Sequence, residues 1–384
     1  MARVRITAEQ TTGPDGRVLS RVAGHRRMLA VVVGSVAALL VGTTAVLGST
    51  QNGQDATPEP TDPEQLYAGD DRAEQVRLGY FPNLTHAPAL VGLQQGLFAD
   101  HLDGSGPEAE TAFHTETFNA GPAAVEALNA GAVDAVFIGP NPALHSYARS
   151  SGESLFVVSG AAAGGSQLIV REGIEDPQDL AGAVLATPQL GGTQDVAARV
   201  WLAEHGLIGD GPQDLVDITP TDNPQVLRLF EQGRIDAAWV PEPWASRLVL
   251  EAGGEMLLDE RDLWADGAFP TTVLAVNQDF AEAHPQTVQD LAAATGAAVD
   301  WLEQADDAEA HRVINAQLRQ DLGMELSEPV LDRALGQLDF TTDPLAQTFD
   351  QLSQDSAAAG FGEAIETHGI VVPAPVDEIS EEER

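Results

Sequence analysis

The chain contains a repeated helix-to-strand junction that restricts it to a small set of folds. Residues 128–140 read LNAGAVDAVFIGP, and residues 230–242, which begin 102 positions later, read FEQGRIDAAWVPE. In each copy the end of a helix is followed by Gly131 or Gly233, which we expect to end that helix in the left-handed conformation. An Asp and a short apolar strand come next. Because this order occurs twice, we predict two similar α/β lobes.

Strand-like and helix-like segments alternate over the rest of the chain. We expect strands at 76–80, 132–138, 155–159, 167–171, 183–187, 235–240 and 272–277. We expect helices at 88–97, 122–129, 193–205 and 224–232, and mainly helices from residue 284 onward. Alternation of this kind indicates an α/β fold with largely parallel strands.

The first 48 residues are predicted to be an export signal or a membrane anchor. Residues 1–28 contain six Arg, and residues 29–48 (LAVVVGSVAALLVGTTAVLG) carry no charge. A basic segment followed by an apolar run is typical of both structures. Since about 20 apolar residues suffice to cross a bilayer, cleavage and retention both stay open. Ser49 stands where a bacterial lipoprotein has its lipidated Cys, so the sequence does not predict a lipid anchor.

Two polar segments flank the predicted body. Residues 49–75 are rich in Pro, Gly, Asp and Glu, which predicts a flexible linker. Residues 364–384 end in DEISEEER and are predicted to form an acidic C-terminal tail.

Charge and missing residue types exclude several classes of function. The formal net charge is −40, all 19 basic residues are Arg, and there is no Cys. Such a chain lacks the basic patch that nucleic-acid binding needs, and it can form neither disulfides nor thiolate metal sites. The sequence also has no His spacing typical of a metal site, no phosphate-binding loop, no dinucleotide fingerprint and no nucleophile elbow. We therefore expect no enzymatic activity, no cofactor and no metal.

Short segments with Gly, Pro and polar residues lie next to predicted strands or at predicted helix starts in both halves of the body. They are residues 81–86, 119–122, 139–142, 164–166, 189–194 and 241–244. In parallel sheets, ligands bind beyond the carboxyl ends of the strands, where helix N-termini present free N–H groups and a positive dipole. Any one segment could be an ordinary turn. Their agreement in position across both lobes favours a site for a small anionic solute.

Four stretches resemble the solute-binding proteins of nitrate, sulfonate and taurine ABC importers, in particular the aliphatic-sulfonate branch. They are VRLGYFPNLTHAPALVGLQQGLF, NAGPAAVEALNAGAVDAVFIGPNPAL, ATPQLGGTQDVAARVWLAEHGL and DAAWVPEPWASRL. The resemblance covers residues 76–362 and is more specific for the family than for the ligand. It implies a two-lobed type II periplasmic-binding-protein fold, export across the cytoplasmic membrane, and delivery of a solute to an ABC permease and its ATPase.

The resemblance also implies the lobes and the site. Lobe one would comprise 76–166 and 271–363, lobe two would comprise 167–270, and the hinge would lie near 166–171 and 270–276. The ligand-binding residues carried over by position are Asn83, Thr85, His86, Gly139, Asn141, Gly165, Ser166, Thr193, Gln194 and Glu242, with Trp239 or Trp244 as walls. We expect a monomer that captures an aliphatic sulfonate outside the cytoplasm. Nitrate, taurine or a thiamine-pyrimidine precursor as ligand, and a membrane-anchored ligand-sensing ectodomain, are the alternatives.

Three of these residues have competing interpretations. His86 either adds positive charge toward an anion or lies at the surface. Trp239 belongs to a buried-looking strand, which favours a role in the core. Glu242 would repel a sulfonate, so it orders a loop, pairs with an Arg, or accepts a hydrogen bond from a ligand amine; the structural role is favoured.

The charge pattern predicts that salt stabilises the fold. After residue 28 there are 57 acidic residues against 13 Arg, so most carboxylates lack a partner and repel one another. We expect the melting temperature to rise as NaCl increases from about 0.01 M to 1 M, because the screening length falls from roughly 30 Å to 3 Å. Thermal unfolding followed by circular dichroism at several NaCl concentrations checks this. A melting temperature that is constant or falls over this range would contradict it.

Overall fold

Eleven strands in the described part of the chain fall into two sheets. The computed structural model describes residues 61–102, 111–209 and 215–375. The strands are β1 (Gln75–Tyr80), β2 (Ala112–Thr117), β3 (Ala135–Ile138), β4 (Leu155–Gly164), β5 (Ser166–Val170), β6 (Val184–Thr187), β7 (Asp217–Pro220), β8 (Ala237–Pro241), β9 (Glu255–Asp259), β10 (Pro270–Asn277) and β11 (Leu338–Phe340). The helices are α1 (Pro63–Leu66), α2 (Ala87–Gln94), α3 (Leu97–Leu102), α4 (Gly121–Asn129), α5 (Pro140–Arg149), α6 (Thr193–Glu204), α7 (Asn223–Glu231), α8 (Trp244–Ala252), α9 (Gln278–Ala283), α10 (Pro285–Gln304), α11 (Asp307–Leu322), α12 (Glu328–Leu335) and α13 (Phe349–Ala358).

Each sheet is built around a trio of parallel strands. The first sheet, in lobe one, has the order β11-β4-β10-β3-β1-β2, and β1 pairs in parallel with β2 and β3. The second sheet, in lobe two, has the order β7-β6-β8-β5-β9, and β6 pairs in parallel with β7 and β8. The other strands pair antiparallel. The predicted α/β class with two similar lobes is confirmed. The expectation of largely parallel strands is wrong, because four pairings between the described strands are parallel and five are antiparallel.

The repeated Asp has the same role in both lobes. Asp134 accepts a hydrogen bond from the backbone N–H of Arg77 at 2.8 Å. Asp236 accepts the equivalent bond from the backbone N–H of Val184 at 2.9 Å. Each carboxylate therefore ties the start of the central strand of its trio to the turn that precedes β3 or β8. This shared contact explains why the Asp recurs at the same position of the sequence repeat.

Both sheets are buried on both faces. In β3, Phe137 and Ile138 belong to hydrophobic cores on opposite sides of the first sheet. In β8, Trp239 and Val240 are divided in the same way between the two cores of the second sheet. All four side chains are fully buried. Burial on both faces explains why these strands appear as continuous apolar runs rather than as alternating patterns.

The chain crosses between the lobes at two places. It leaves β4 and enters β5 through Gly164 and Gly165, whose φ values of 72° and 68° lie in the left-handed region that glycine adopts most readily. It returns after the short 3-10 helix Glu260–Leu263, shortly before β10. The hinge segments expected at 166–171 and 270–276 instead form β5 and β10. Both strands pair within their sheets from the first residue, so the crossings lie just before them.

The folded body extends beyond its expected limits at both ends. Helix α1 lies within the predicted linker, and Tyr67 directly after it donates a hydrogen bond from its hydroxyl to the carbonyl oxygen of Val372 at 2.7 Å. Val371, within the predicted tail, forms a β-bridge with Val157 of β4. The linker and tail boundaries are therefore corrected: apolar residues in both segments pack against lobe one.

The predicted export segment, residues 1–48, lies outside the described residues. Within the described ranges, no helix is both long enough and apolar enough to cross a bilayer. The interpretation of residues 1–48 as a signal or an anchor stays a prediction.

A buried carboxyl group supports lobe two next to the returning crossing. Glu260 is 1% exposed, and its Oε2 accepts hydrogen bonds from Ser166 Oγ at 2.5 Å and from the Trp239 indole at 2.7 Å. Burial raises the pKa of Glu260 to about 7, although these hydrogen bonds work in the opposite direction. The group thus favours the folded state when it is protonated.

Glu260 should make the fold less stable as pH rises toward neutrality. Its folded pKa lies above its ordinary value of 4.5, so its stabilising effect is complete below about pH 4.5 and is lost as pH rises through about 7. We expect Glu260→Gln to unfold with a shallower decrease of melting temperature between these pH values than the unchanged protein. Glu325→Gln, at an exposed position, is the matched control and should keep the original slope. Identical slopes for the two variants would contradict the assignment.

Candidate functional site

A cleft lies between the carboxyl ends of the two parallel trios. It encloses about 190 Å³ and is lined by residues that follow β1, β2 and β3 in lobe one and β6, β7 and β8 in lobe two. Six of the ten residues predicted to bind ligand line this cleft: Asn83, Thr85, His86, Gly139, Thr193 and Gln194. The structure therefore brings residues from three distant parts of the sequence to one cavity.

Six helices begin at the wall of the cleft. Helices α2, α4 and α5 of lobe one and α6, α7 and α8 of lobe two each place an N-cap or first-turn residue there. The first N–H groups of a helix have no partner within it, and the dipole is positive at this end. No arginine is among the described residues that line the cleft, and the chain has no lysine. The positive potential of the cleft thus comes from backbone groups and suits a small anion.

The lobes approach each other closely at Gly139 and Thr193. A Cβ atom added at Gly139 would lie 2.5 Å from Thr193 Oγ1, which is too close for any real contact. The φ of Gly139 is −68°, a value that every residue adopts, so the position requires the missing side chain rather than glycine's backbone freedom. The start of α5 therefore meets the start of α6 across the cleft, which indicates that the structure represents a closed state.

Four buried polar atoms on the cleft have no hydrogen-bond partner among the described residues. They are Asn83 Oδ1, Gln189 Oε1, Thr193 Oγ1 and Asn223 Oδ1. A buried polar group without a partner lowers stability by about 1–3 kcal/mol. Several such groups at one cavity are expected where a ligand supplies the missing partners.

His86 is neither charged nor at the surface. It is 2% exposed, and burial lowers the pKa of its imidazole to about 3, so that the ring is neutral at pH 7. Its Nδ1 accepts a hydrogen bond from the backbone N–H of Phe81 at 3.4 Å, and the two rings stack with centroids 4.5 Å apart. Both interpretations of His86 drawn from the sequence are therefore wrong. The residue is a neutral part of the cleft wall.

Three other predicted residues lie away from the cavity. Asn141 is fully buried in lobe one, and its Nδ2 donates to Ser356 Oγ at 3.0 Å. Gly165 belongs to the crossing between the lobes, and Ser166 donates its hydroxyl hydrogen to Glu260. In this closed structure the three residues lie in the protein around the cleft and do not line it.

Glu242 also lies behind the cleft wall and has no exposed surface. Its Oε1 accepts a hydrogen bond from Arg333 Nη1 at 2.9 Å, and its Oε2 accepts one from the backbone N–H of Ser246 at 3.0 Å. Burial raises the pKa of Glu242, while Ser246 and Arg333 oppose that rise. These contacts agree with the structural role that the sequence favoured.

Aromatic rings form the apolar part of the cleft. Trp244, Phe81 and Phe118 line it, whereas Trp239 is fully buried in the core of lobe two, as expected from its strand. The guanidinium group of Arg247, on α8, lies over the Trp244 ring at 4.9 Å from the ring centroid. This cation–π contact holds the ring in place.

Sequence reasoning missed the part of the cleft that α7 supplies. Asp222, Asn223 and Pro224 line the cavity at the start of that helix. Their order, an acidic N-cap residue followed closely by Pro, is itself a helix-start signal that could have found them. Leu322, at the end of α11, also lines the cleft, and no pattern in the sequence marks it.

The contact between Gly139 and Thr193 predicts how closure can be blocked. Gly139→Ala should leave the melting temperature nearly unchanged, since its backbone conformation suits alanine, but its methyl group should hold the lobes apart. Adding Thr193→Ala removes the opposing hydroxyl and should restore closure. Small-angle X-ray scattering in the presence of propane-1-sulfonate, an aliphatic sulfonate of the kind expected from the sequence, measures the radius of gyration of both variants and of the unchanged protein. A Gly139→Ala protein as compact as the unchanged one would show that the lobes do not meet at this point.

Comparison with known proteins places the chain in a family. Residues 69–318 match the model of the NMT1-like family. The taurine-binding periplasmic protein of Escherichia coli (strain K12) is 28% identical over 219 residues, which cover 57% of this chain and 64% of that protein. The nitrate/nitrite binding protein NrtA of Synechococcus elongatus is 31% identical over 151 residues, which cover 39% of this chain and 32% of that protein. The chain thus spans less than two thirds of the length of these curated relatives.

Solved structures of similar shape confirm the fold. The alkanesulfonate-binding protein SsuA from Xanthomonas axonopodis pv. citri bound to MOPS superimposes with a TM-score of 0.63 at 21% identity, covering 78% of this chain and 98% of that chain. The periplasmic nitrate-binding protein NrtA from Synechocystis PCC 6803 gives a TM-score of 0.65 at 14% identity, covering 78% and 85%. The two-lobed periplasmic-binding-protein fold implied by the sequence is therefore confirmed. With more than half of its length matched by one family model, the chain belongs to the NMT1-like family.

Proposed function

We propose that this protein is the extracytoplasmic solute-binding component of an ABC importer and that it captures a small organic anion, most favourably an aliphatic sulfonate. The observation that carries the proposal is the convergence of six helix N-termini on one closed cavity without a lining Arg. Backbone N–H groups can surround an anion from both lobes without a buried counter-charge. Binding between two lobes in turn favours their closure, because the ligand contacts both only in the closed state.

The size and the walls of the cleft favour an organic anion over a small inorganic one. A cavity of about 190 Å³ is several times larger than an anion of four or five atoms. Trp244, Phe81 and Phe118 give it an apolar wall that nitrate could not cover, whereas an alkyl chain could. The alkanesulfonate-binding protein SsuA from Xanthomonas axonopodis pv. citri is bound to MOPS, and the Escherichia coli relative is a taurine-binding protein. These names support the ligand class proposed here.

We also propose where the protein acts and which proteins receive its ligand. A solute-binding protein acts outside the cytoplasmic membrane and delivers its ligand to a permease driven by an ATPase. We propose that the chain does so as a monomer, and that residues 29–48 take part in export or hold it at the membrane. The second candidate, a membrane-anchored sensing ectodomain, is favoured only by the uncharged run. N-terminal sequencing of the exported protein tests the second candidate, which requires residues 29–48 to be retained; their removal would exclude it.

Isothermal titration calorimetry with a panel of solutes tests the ligand class. We expect propane-1-sulfonate to bind more tightly than taurine, nitrate or an aminopyrimidine, because it alone combines an anionic head with an uncharged apolar chain. Binding of a sugar or an organic cation, with no response to any sulfonate, would overturn the proposal.

A matched pair of variants locates the binding. Thr193→Leu fills the point where α6 begins at the cleft, so it should weaken sulfonate binding far more than it lowers the melting temperature. Thr115→Leu places the same change on the exposed edge strand β2 and should leave affinity unchanged. Unchanged affinity in a folded Thr193→Leu protein would move the site elsewhere.

A further inference from the structure

We propose that Arg333 of lobe one, through its ion pair with Glu242, holds the part of the cleft wall that belongs to lobe two in place. The pair thereby sets ligand affinity without touching the ligand. This inference rests on the proposed solute-binding role of the cleft. It assigns to both residues a positioning role.

Glu242 lies between two residues of the cleft wall of lobe two. It follows β8 directly, between Pro241 and Trp244, both of which line the cavity. Its own side chain points the other way and is fully buried. There its Oε2 accepts the backbone N–H of Ser246 in the first turn of α8. The carboxylate thus fixes the same helix start that presents Trp244 and free N–H groups to the cleft.

Arg333 reaches Glu242 from the other lobe. It belongs to α12, whose Val330, Leu331 and Ala334 are part of the hydrophobic core of lobe one. Its guanidinium is anchored on that helix and extends to the opposite lobe, where Nη1 contacts Glu242 Oε1 at 2.9 Å. The ion pair therefore joins the two lobes.

The guanidinium makes three inter-lobe hydrogen bonds at once. Besides the carboxylate, Nη1 donates to Ser246 Oγ at 2.8 Å, and Nη2 donates to Gln167 Oε1 at 2.7 Å. Gln167 lies two positions after Gly165, so this cluster is next to the crossing between the lobes. Atoms close to a hinge move little when the lobes rotate. The pair can therefore persist in both the open and the closed state, and it can fix the orientation of the start of α8 at the cleft.

The position of Glu242 depends on the positive charge of Arg333. A carboxylate with no exposed surface needs a paired positive charge, and Arg333 is the charged group in direct contact with it among the described residues. Asp259 joins the same cluster through Gln167, since its Oδ2 accepts a hydrogen bond from Gln167 Nε2 at 3.4 Å. Without Arg333, the Glu242 carboxylate is either protonated or drawn toward water, and the second response displaces the loop.

The test compares Arg333→Met, the double variant Arg333→Met with Glu242→Gln, and Arg319→Met as control. Arg319 forms an exposed pair with Glu325 on lobe one, so the control removes an arginine of equal charge that makes none of the contacts to Glu242, Ser246 or Gln167. For Arg333→Met we expect affinity for propane-1-sulfonate to fall roughly tenfold or more at pH 8 and less at pH 5, because burial raises the pKa of Glu242, loss of Arg333 removes a group that opposes this rise, and a lower pH then favours the uncharged carboxyl group. The double variant removes both charges and should bind with little pH dependence. The control should match the unchanged protein.

A second measurement needs no ligand and keeps the inference separate from the proposed function. Hydrogen–deuterium exchange of the ligand-free proteins should show faster exchange of residues 243–247 in Arg333→Met at pH 8, with β10 unaffected. The charge-free double variant should recover protection at Ser246. If the unchanged protein binds no sulfonate, the proposed function fails and exchange alone decides the positioning role. Unchanged exchange at 243–247, or an affinity loss that is equal at both pH values, would overturn the inference.

Discussion

Parallel pairing in two strand trios fixes where the rest of the molecule can act. Strands β1, β2 and β3 share one direction, as do β6, β7 and β8, and a helix that begins at the cleft follows each of the six. Parallel strands end at the same edge of a sheet, so the six helix N-termini meet at two facing edges. The cleft and its anion-favouring potential are thus consequences of topology. The side chains then adjust its size, its apolar wall and the fit between the lobes.

This arrangement reconciles an acidic chain with the anionic ligand proposed for it. The chain carries a formal net charge of −40, yet Asp222 is the single carboxylate among the described residues that line the cleft. Backbone dipoles act over the few ångströms between a helix end and a bound ion, while the distant surface carboxylates are screened by salt. The arginines next to the cleft serve structure instead. Arg333 neutralises a buried carboxylate, and Arg247 supports the ring of Trp244.

Local patterns in the sequence predicted two strands of each trio, β1 and β3 in lobe one and β6 and β8 in lobe two, but neither β2 nor β7. Gly131 and Gly233 end their helices with φ values of 65° and 72°, as the repeat indicated. Strand β2 was missed because it is a largely exposed edge strand, whose polar sequence FHTET lacks an apolar run. The state of His86 was also beyond the sequence, because its pKa depends on burial between chain segments. The same holds for the pairing of Glu242 with Arg333, which joins residues 91 positions apart.

The distance across the cleft, with and without ligand, tests the central claim most directly. Since the chain has no cysteine, Ala123→Cys on α4 and Gln225→Cys on α7 provide two exposed and unique sites for spin labels on opposite lobes. Pulsed electron paramagnetic resonance then measures the distance between the two labels. We predict a broad or longer distance for the ligand-free protein and a shorter, narrower one after addition of propane-1-sulfonate. An unchanged distance distribution at a sulfonate concentration that saturates binding would contradict capture by closure of the two lobes.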